Sequence, residues 1–351
     1  MREIKLIGSV LLFVGFMPIE VVAQDVHFSQ FGQTPQLINP AATGVFEGNV
    51  RAFLNYRTQW TGIGKGFRTY AASFDAPLRF KKGRRRNQGA YLGVGLNFYN
   101  DVAGTSNFGS SQTSISVSGI LPVAEKHKFS LGIQTGLGQN SVDLNTLTWG
   151  SQYNGLAFDS QLATNELYGL RSSQYLDLGA GVFYEFKTEG TSFLSSDVSS
   201  FNVGVAGYHL NEPAQEFLAF TTDNLPMKIV AQFSGTFDLG LVPLSLVPSV
   251  FYATQASSKE ITPGMLLKFR RGHETKYSGM FKEAAIYFGA HYRVGDAIIP
   301  EIYLEFTDYM IGFSYDYSNS DLAKASGGAN GIEFSIRYIH QNKALQRASF
   351  R

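Results

Sequence analysis

The stretch that decides the fold is Tyr91–Tyr99, which reads YLGVGLNFY. Its larger aliphatic and phenyl side chains occupy every second position, at Leu92, Val94, Leu96 and Phe98. Tyrosine, glycine and asparagine fill the positions between them. Successive side chains of a β-strand point to opposite faces of the sheet. The stretch therefore predicts a strand that lies between two unlike environments.

About fourteen segments of the chain share this alternation. The outward face of a soluble sandwich carries many lysines and glutamates, whereas the polar positions here are mostly Gly, Ser, Asn, Gln and Tyr. Only 16% of the residues are charged. This composition predicts an all-β fold, a single antiparallel transmembrane β-barrel of about 14 strands. The predicted strands are Asn49–Trp60, Phe67–Ala76, Gly89–Tyr99, Ser111–Leu121, Lys128–Gln139, Tyr175–Phe186, Phe201–His209, Met227–Leu239, Leu244–Ala253, Ile261–Arg270, Ala284–Val294, Ile298–Glu305, Tyr309–Tyr317 and Asn330–Ile339.

The N-terminus predicts a secretory signal peptide. Arg2 and Lys5 precede the apolar run Leu6–Phe16. Val21, Val22 and Ala23 supply small residues at the positions that a signal peptidase reads, so cleavage is expected between Ala23 and Gln24. No later segment reaches the roughly 18 apolar residues that a transmembrane helix needs. Since only helices and closed barrels satisfy every backbone hydrogen bond in lipid, the strands are expected to cross a bacterial outer membrane several times.

Four segments divide the chain. Residues 1–23 are the predicted signal peptide, 24–48 an N-terminal leader or plug segment, 49–340 the barrel and 341–351 a C-terminal tail. The leader shows no alternation and is rich in Gln, Asn, Pro and Thr, so it plugs the lumen, lies along the rim or is flexible. An irregular segment of this length is uncommon unless it is functional or disordered. We expect it to pack inside the barrel.

The connections between strands alternate between the two sides of the membrane. With both termini in the periplasm, the odd-numbered connections face outward. They include the longest connection, Asn140–Gln174, and the connection that contains Asn211, Glu212 and Pro213. These last three residues are candidate contacts for a partner.

A basic turn joins the second and third predicted strands on the periplasmic side. Most runs of charge are solvated connectors. A run this dense is also a candidate contact for acidic secretion machinery or lipid headgroups. Its candidate residues are Lys81, Lys82, Arg84, Arg85 and Arg86.

Several charged residues on the strands fall opposite the apolar stripe and are predicted to face the lumen. A lysine or arginine that faced lipid at mid-membrane would cost on the order of 2 to 4 kcal/mol, and an acid less. Two interpretations stay open, because these residues either pair across a filled interior or line a conduit. They are Asp177, Glu185, Glu301, Glu305, Glu333 and Arg337.

The sequence shows little sign of catalytic or metal chemistry. It has no cysteine, and its six histidines lack the spacing of metal sites, so no cofactor, metal ligand or catalytic residue is assigned. The glycine-rich stretch Gly62–Gly66 lacks the spacing of a phosphate loop. A Ser–His pair on different strands, as in outer-membrane phospholipases, stays open. A net charge of +1 predicts no attraction for nucleic acid.

Several short motifs resemble those of one known family, and they span the chain beyond the signal peptide. They are Gln24-Asp25, Phe28–Gln30, Asn39–Ala41, Asn55–Trp60, Asn100–Gly104, Leu147–Tyr153, His209–Pro213, Ser314–Tyr317 and Ser326–Gly328. In order and spacing they resemble the PorP/SprF family of Bacteroidota outer-membrane proteins. The resemblance implies association with the type IX secretion system, in which such barrels help to export or retain surface adhesins, including those of gliding motility. It supplies no catalytic residues.

The leading functional interpretation is a non-enzymatic barrel that helps to export or anchor a large surface adhesin. The alternative is an outer-membrane channel for small solutes, and a third class is an outer-membrane enzyme. The expected partners are a secreted surface protein or adhesin, the type IX secretion machinery and membrane lipid.

Overall fold

The structure is a computed structural model. It describes residues 25–60, 65–79, 89–143, 147–165, 172–188, 199–218, 221–240, 242–271, 284–319 and 329–340. Several sequence predictions lie outside these residues: the signal peptide with its cleavage pair Ala23 and Gln24, the basic turn Lys81–Arg86 and the tail 341–351. Within the described part of the chain, no helix has the length and apolar character needed to cross a membrane.

Fourteen strands form one closed antiparallel barrel, as the alternation predicts. Most run a few residues beyond the predicted bounds. The barrel strands are β1 (Val50–Gln59), β2 (Phe67–Leu78), β3 (Tyr91–Ala103), β4 (Phe108–Ala124), β5 (His127–Ser141), β6 (Ser172–Lys187), β7 (Ser200–Tyr208), β10 (Lys228–Asp238), β11 (Leu244–Gln255), β12 (Ser258–Arg271), β13 (Ala284–Arg293), β14 (Ala297–Phe306), β15 (Tyr309–Ser318) and β16 (Ala329–His340).

The barrel closes where β1 pairs with β16, in a register that sets Val50 opposite His340. Two further strands, β8 (Ala214–Leu218) and β9 (Thr221–Asn224), form a separate hairpin in the connection between β7 and β10. No strand is predicted from the sequence in this connection. Both strands are short, and Pro213 immediately precedes β8, so no run of alternation marks them.

The two faces of the wall differ as the alternation requires. The apolar positions are exposed on the outside of the barrel, with Leu54 57% and Leu137 69% exposed, which is the surface that lipid covers. The polar positions are buried inside, as Asn97, Ser116 and Ser118 show. The buried polar face therefore needs partners in the lumen.

Residues 25–48, called the leader below, lie in that lumen. The leader contains a 3₁₀ turn at Phe31–Gln33, a short helix at Pro35–Ile38 and a second 3₁₀ turn at Pro40–Ala42. The side-chain oxygen of Asn39 accepts the Ala41 N–H at 2.9 Å and caps the last turn. A fourteen-strand barrel is wider than the eight-strand kind that wall side chains can fill, and the leader lies within this wider lumen.

The leader runs from one end of the barrel to the other. We call the end where β1 begins and β16 ends the near end, and the opposite end the far end. At the near end the Asn49 N–H donates to the His340 carbonyl at 2.9 Å. At the far end the Asp25 N–H donates to Oε1 of Gln255, the last residue of β11, at 3.1 Å.

Candidate functional site

Two carboxylates of the wall bind the leader near its start. Glu333 accepts the backbone N–H of Ser29 at 2.7 Å and that of Gln30 at 3.2 Å. Asp316 accepts the Ser29 hydroxyl at 2.7 Å. Ser29 lies 304 residues before Glu333 and 287 before Asp316 in the sequence, because β15 and β16 end the barrel. The C-terminal strands thus hold the N-terminal segment.

Two arginines complete this site. The Arg57 guanidinium lies 2.9 Å from Asp316 and 3.8 Å from Glu333. Arg293 lies 3.0 Å from Asp316 and donates to the Ser29 hydroxyl at 2.8 Å. All five residues are buried. We call them the Ser29 cluster. Because an unpaired buried charge is costly, each member depends on the others.

A second charged site lies at the far end, where the leader begins. The His209 Nδ1 lies 2.8 Å from Asp177, and its Nε2 lies 3.5 Å from Asp25. Lys228 lies 3.2 Å from Asp25. The Gln112 amide donates to the second oxygen of Asp177 at 2.6 Å. Asp25, Asp177, His209 and Lys228, called the Asp25 cluster, therefore join the leader to three elements of the barrel.

This arrangement favours a charged His209. Burial alone would lower the pKa of His209, but the carboxylates of Asp177 and Asp25 raise it to about 9. Burial likewise opposes ionisation of Asp25, yet Lys228 and His209 hold the pKa of Asp25 well below its usual value. At neutral pH both residues carry charge, so an ion pair fixes the start of the leader.

Close backbone packing holds the other half of the leader. A Cβ on Gly93 would lie 2.2 Å from the Thr43 carbonyl oxygen, and one on Gly132 would lie 2.4 Å from the Ala41 nitrogen. Both glycines lie on inward-facing positions of the wall, where only a missing side chain permits this approach. The Ser118 hydroxyl also donates to the Thr43 carbonyl at 2.5 Å.

One ion pair supports this packed half. Asp75 accepts the Gly44 N–H at 2.7 Å and lies 2.7 Å from the Arg51 guanidinium. Arg51 also donates to the Ala42 carbonyl at 3.1 Å and lies over the Phe46 ring at 4.5 Å. Arg51 and Asp75 thereby bind polar backbone atoms of the leader that would otherwise lack partners.

The residues predicted to face the lumen lie in paired sites. Asp177 belongs to the Asp25 cluster and Glu333 to the Ser29 cluster. Glu185 lies 2.6 Å from Lys128. Two further residues form one group, in which Glu305 lies 3.4 Å from Arg337. The same glutamate lies 3.2 Å from Lys268 and accepts the Tyr287 hydroxyl at 2.6 Å.

The sixth residue, Glu301, belongs to a Ser–His–Glu arrangement. The sequence allows a Ser–His pair on different strands but does not identify its residues. The Ser249 hydroxyl lies 2.6 Å from Nε2 of His291, whose Nδ1 lies 3.0 Å from Glu301. These are the contacts of a nucleophile, base and orienting acid. The Tyr303 hydroxyl donates to Glu301 at 2.6 Å, and the leader residue Phe31 packs edge-on against the His291 ring at 5.0 Å.

Burial limits access to this group. Ser249, His291 and Glu301 are all buried, and the Phe31 ring packs against His291 on the lumen side. Ser249 also lies within the ladders that β11 makes with β10 and β12, so the backbone around it is engaged in the sheet. The geometry fits a structural hydrogen-bond relay across the wall.

The candidate partner residues of the β7–β10 connection have unequal roles. The side-chain amide of Asn211 donates to the Leu176 carbonyl at 2.7 Å and accepts the Leu178 N–H at 3.1 Å. It thus pairs with the edge of β6 as a neighbouring strand would. Pro213 is buried, and Glu212 is exposed. Only the Glu212 side chain is thus presented to solvent without such a contact to the wall.

No three His, Asp or Glu side chains of the described residues are grouped so as to hold a metal ion. The arginine partners of the wall carboxylates, Arg57 and Arg293, are functional residues that the sequence reading did not single out. Arg57 does fall on the polar phase of its strand. The alternation of β1 therefore predicts that Arg57 is buried, but it does not predict which residue pairs with it.

A closed barrel with an apolar outer belt and a buried polar interior is a multi-strand outer-membrane barrel, here with its lumen occupied by the chain's own leader. Residues 21–338 match the family described as type IX secretion system membrane protein PorP/SprF, and the chain belongs to this family. The predicted fold, family and outer-membrane location are confirmed. No protein with a curated description matches the chain.

Several solved outer-membrane barrels are similar in shape. The toluene transporter TbuX of Ralstonia pickettii has a TM-score of 0.47 at 12% identity, over 93% of this chain and 98% of TbuX. A FadL homologue of Pseudomonas aeruginosa has a TM-score of 0.44 at 10% identity, over 88% and 94%. BamA of Haemophilus ducreyi, without POTRA domains 1–3, has a TM-score of 0.42 at 11% identity, over 83% and 70%.

Proposed function

We propose that this chain is a non-enzymatic partner of the type IX secretion system that helps to export or anchor a large surface adhesin, as in gliding motility. Family membership supports the association with the secretion system. The observation that carries the finer proposal is the bound leader, which occupies the lumen through charged contacts at one end and close packing at the other. Because the leader lies in the lumen, we expect this barrel to bind its partners through the loops and turns at its two ends.

The proposal places the far end outside the cell. The leader starts there, and the connections at 142–171 and 209–227 are the longest at that end. Outer-membrane barrels generally carry their longer loops outside and their shorter turns in the periplasm. The external loops are then the part of the chain that meets the secreted protein.

Removal of the chain tests this function. We expect that deleting its gene removes one specific large protein from the cell surface and leaves that protein inside the cell, as a comparison of surface and periplasmic proteomes would show. Re-expression of the full chain should restore the protein to the surface. An unchanged set of surface proteins after deletion would refute the proposed function.

The basic turn Lys81–Arg86 is proposed as a contact with the machinery on the periplasmic side, because its charge suits an acidic partner. Reversal of its five charges should reduce co-purification of the secretion machinery. If both co-purification and export survived the reversal, the turn would be no more than a solvated connector.

An enzyme is the second candidate function, because the Ser249, His291 and Glu301 contacts resemble a catalytic triad. A fluorophosphonate probe separates the two functions, since it labels activated serines covalently. We expect the purified chain and its Ser249→Ala variant to be labelled equally little and to leave phospholipid intact. Labelling that disappears in Ser249→Ala would instead establish a reactive nucleophile.

A further inference from the structure

One described segment at the far end exposes large apolar side chains away from the lipid-facing wall. It lies between β5 and β6, within residues 147–165. Leu156 is 92% exposed, Tyr153 58% and Phe158 50%. On the wall, such exposure is explained by lipid. In a loop beyond the strands it is not, and an exposed apolar cluster marks an interaction site.

The segment is built to hold these side chains in place. Tyr153 and Phe158 form an isolated antiparallel bridge, and the Asn154 N–H donates to the Ala157 carbonyl at 3.1 Å across it. The Asn154 side chain accepts the N–H of Leu156 at 3.0 Å and that of Ala157 at 2.9 Å. These bonds make a tight turn with Leu156 at its tip, called the Leu156 turn below.

A second set of bonds fixes the base of the Leu156 turn. The Gln152 amide accepts the Trp149 N–H at 3.2 Å and donates to the Leu162 carbonyl at 3.2 Å. The Asp159 N–H donates to the Gln152 carbonyl at 2.8 Å. Because the backbone is already ordered, binding through this turn would cost little conformational entropy.

The charges of the segment favour a protein over a membrane surface as the occupant. Residues 147–165 contain one acid, Asp159, and no lysine or arginine. Segments that lie on anionic lipid headgroups combine apolar side chains with basic ones. An uncharged apolar tip instead fits an apolar pocket on a folded protein, where an aromatic or aliphatic anchor is buried and a polar rim surrounds it.

We propose that the Leu156 turn is a docking element, which inserts Leu156 into an apolar pocket of the secreted protein that this barrel exports or anchors. This inference rests on the proposed function. It adds the surface that recognises the partner and the chemistry of the partner's site.

The test uses the full chain in its own cells, and the probe is the surface protein that is lost when the gene is deleted. We expect Leu156→Asp to reduce co-purification and surface retention of that protein roughly tenfold or more, because an apolar anchor can no longer be buried. The matched control is Gln161→Ser, which changes an exposed polar residue of the same segment and should leave retention unchanged. Heat-modifiable migration of both variants would show that the barrels are folded.

A photo-crosslinking residue at position 156 identifies what covers the turn. Crosslinks to the same surface protein are the expected result. Crosslinks to lipopolysaccharide or phospholipid alone, or retention that Leu156→Asp leaves unchanged, would overturn the docking inference while the proposed function stood. If deletion of the gene removed no surface protein, the proposed function and this inference would fail together.

Discussion

The two halves of the leader are held by different kinds of interaction, mainly charged contacts in one half and mainly close packing in the other. Around Asp25 and Ser29 the contacts are ion pairs and charge-assisted hydrogen bonds that involve six strands and one loop. Around Ala41 and Thr43 the contacts are mainly backbone atoms packed on Gly93 and Gly132, with one ion pair, Arg51–Asp75, beside them. Charged contacts respond to pH and to the loss of one partner, whereas close packing responds to volume. The far half, which has more charged contacts, is thus expected to respond more strongly to solution conditions than the near half.

The largest effect is expected from Arg57→Ala. This change leaves Asp316 and Glu333 buried beside one another with one arginine fewer. Breaking a buried pair from one side typically costs about 3 to 5 kcal/mol. Urea unfolding in detergent should report that loss, and Glu333→Gln in the same chain should recover part of it. The matched control is Arg68→Ala at an exposed position of β2, and an equal loss there would show that the Ser29 cluster contributes nothing special.

The Asp25 cluster should make stability depend on pH. A histidine whose pKa rises on folding adds stability that is complete below about 6.5, its unfolded value, and that is lost as the pH rises through the folded value of about 9. The contribution is on the order of 3 kcal/mol. We expect the unfolding free energy to fall between pH 7 and 10, and to fall less in His209→Gln. Parallel pH profiles for the two chains would contradict this.

The packed half should respond to volume instead. Gly132→Val would place a side chain against Ala41, and overpacking of this kind typically costs about 1 to 3 kcal/mol. Gly119→Val is its control, since nothing lies within 4 Å of a Cβ there. Proteinase K should then cut the leader faster in the first variant only. Equal protection in both would mean that the leader does not rest on Gly132.

The strands follow from the sequence because alternation is a local property. It gave all fourteen barrel strands and placed Asp177, Glu301 and Glu333 on the polar face. Their partners could not be predicted, since Ser29 and Asp316 meet only after the barrel has closed in one register. The β8–β9 hairpin was missed because its strands are too short to alternate visibly.

The candidate site, too, could be predicted from the sequence only in part. The composition of residues 24–48 supports an expectation of packing in the lumen, but not its direction from the far end to the near end. That direction depends on Lys228 and Gln255, which lie at the far ends of β10 and β11. The exposed Leu156 is likewise visible only in the structure, because an apolar residue in a sequence predicts burial as readily as exposure.

Single-channel recording in planar bilayers tests the central claim that the leader closes the lumen. The purified full chain should insert without stable conductance steps, because the Asp25 cluster, the Ser29 cluster and the glycine-packed turn hold residues 25–48 in place. A chain that lacks residues 25–46 and still migrates as a folded barrel should conduct. Stable, long-lived open steps from the intact chain would contradict a closed scaffold and favour a channel for small solutes.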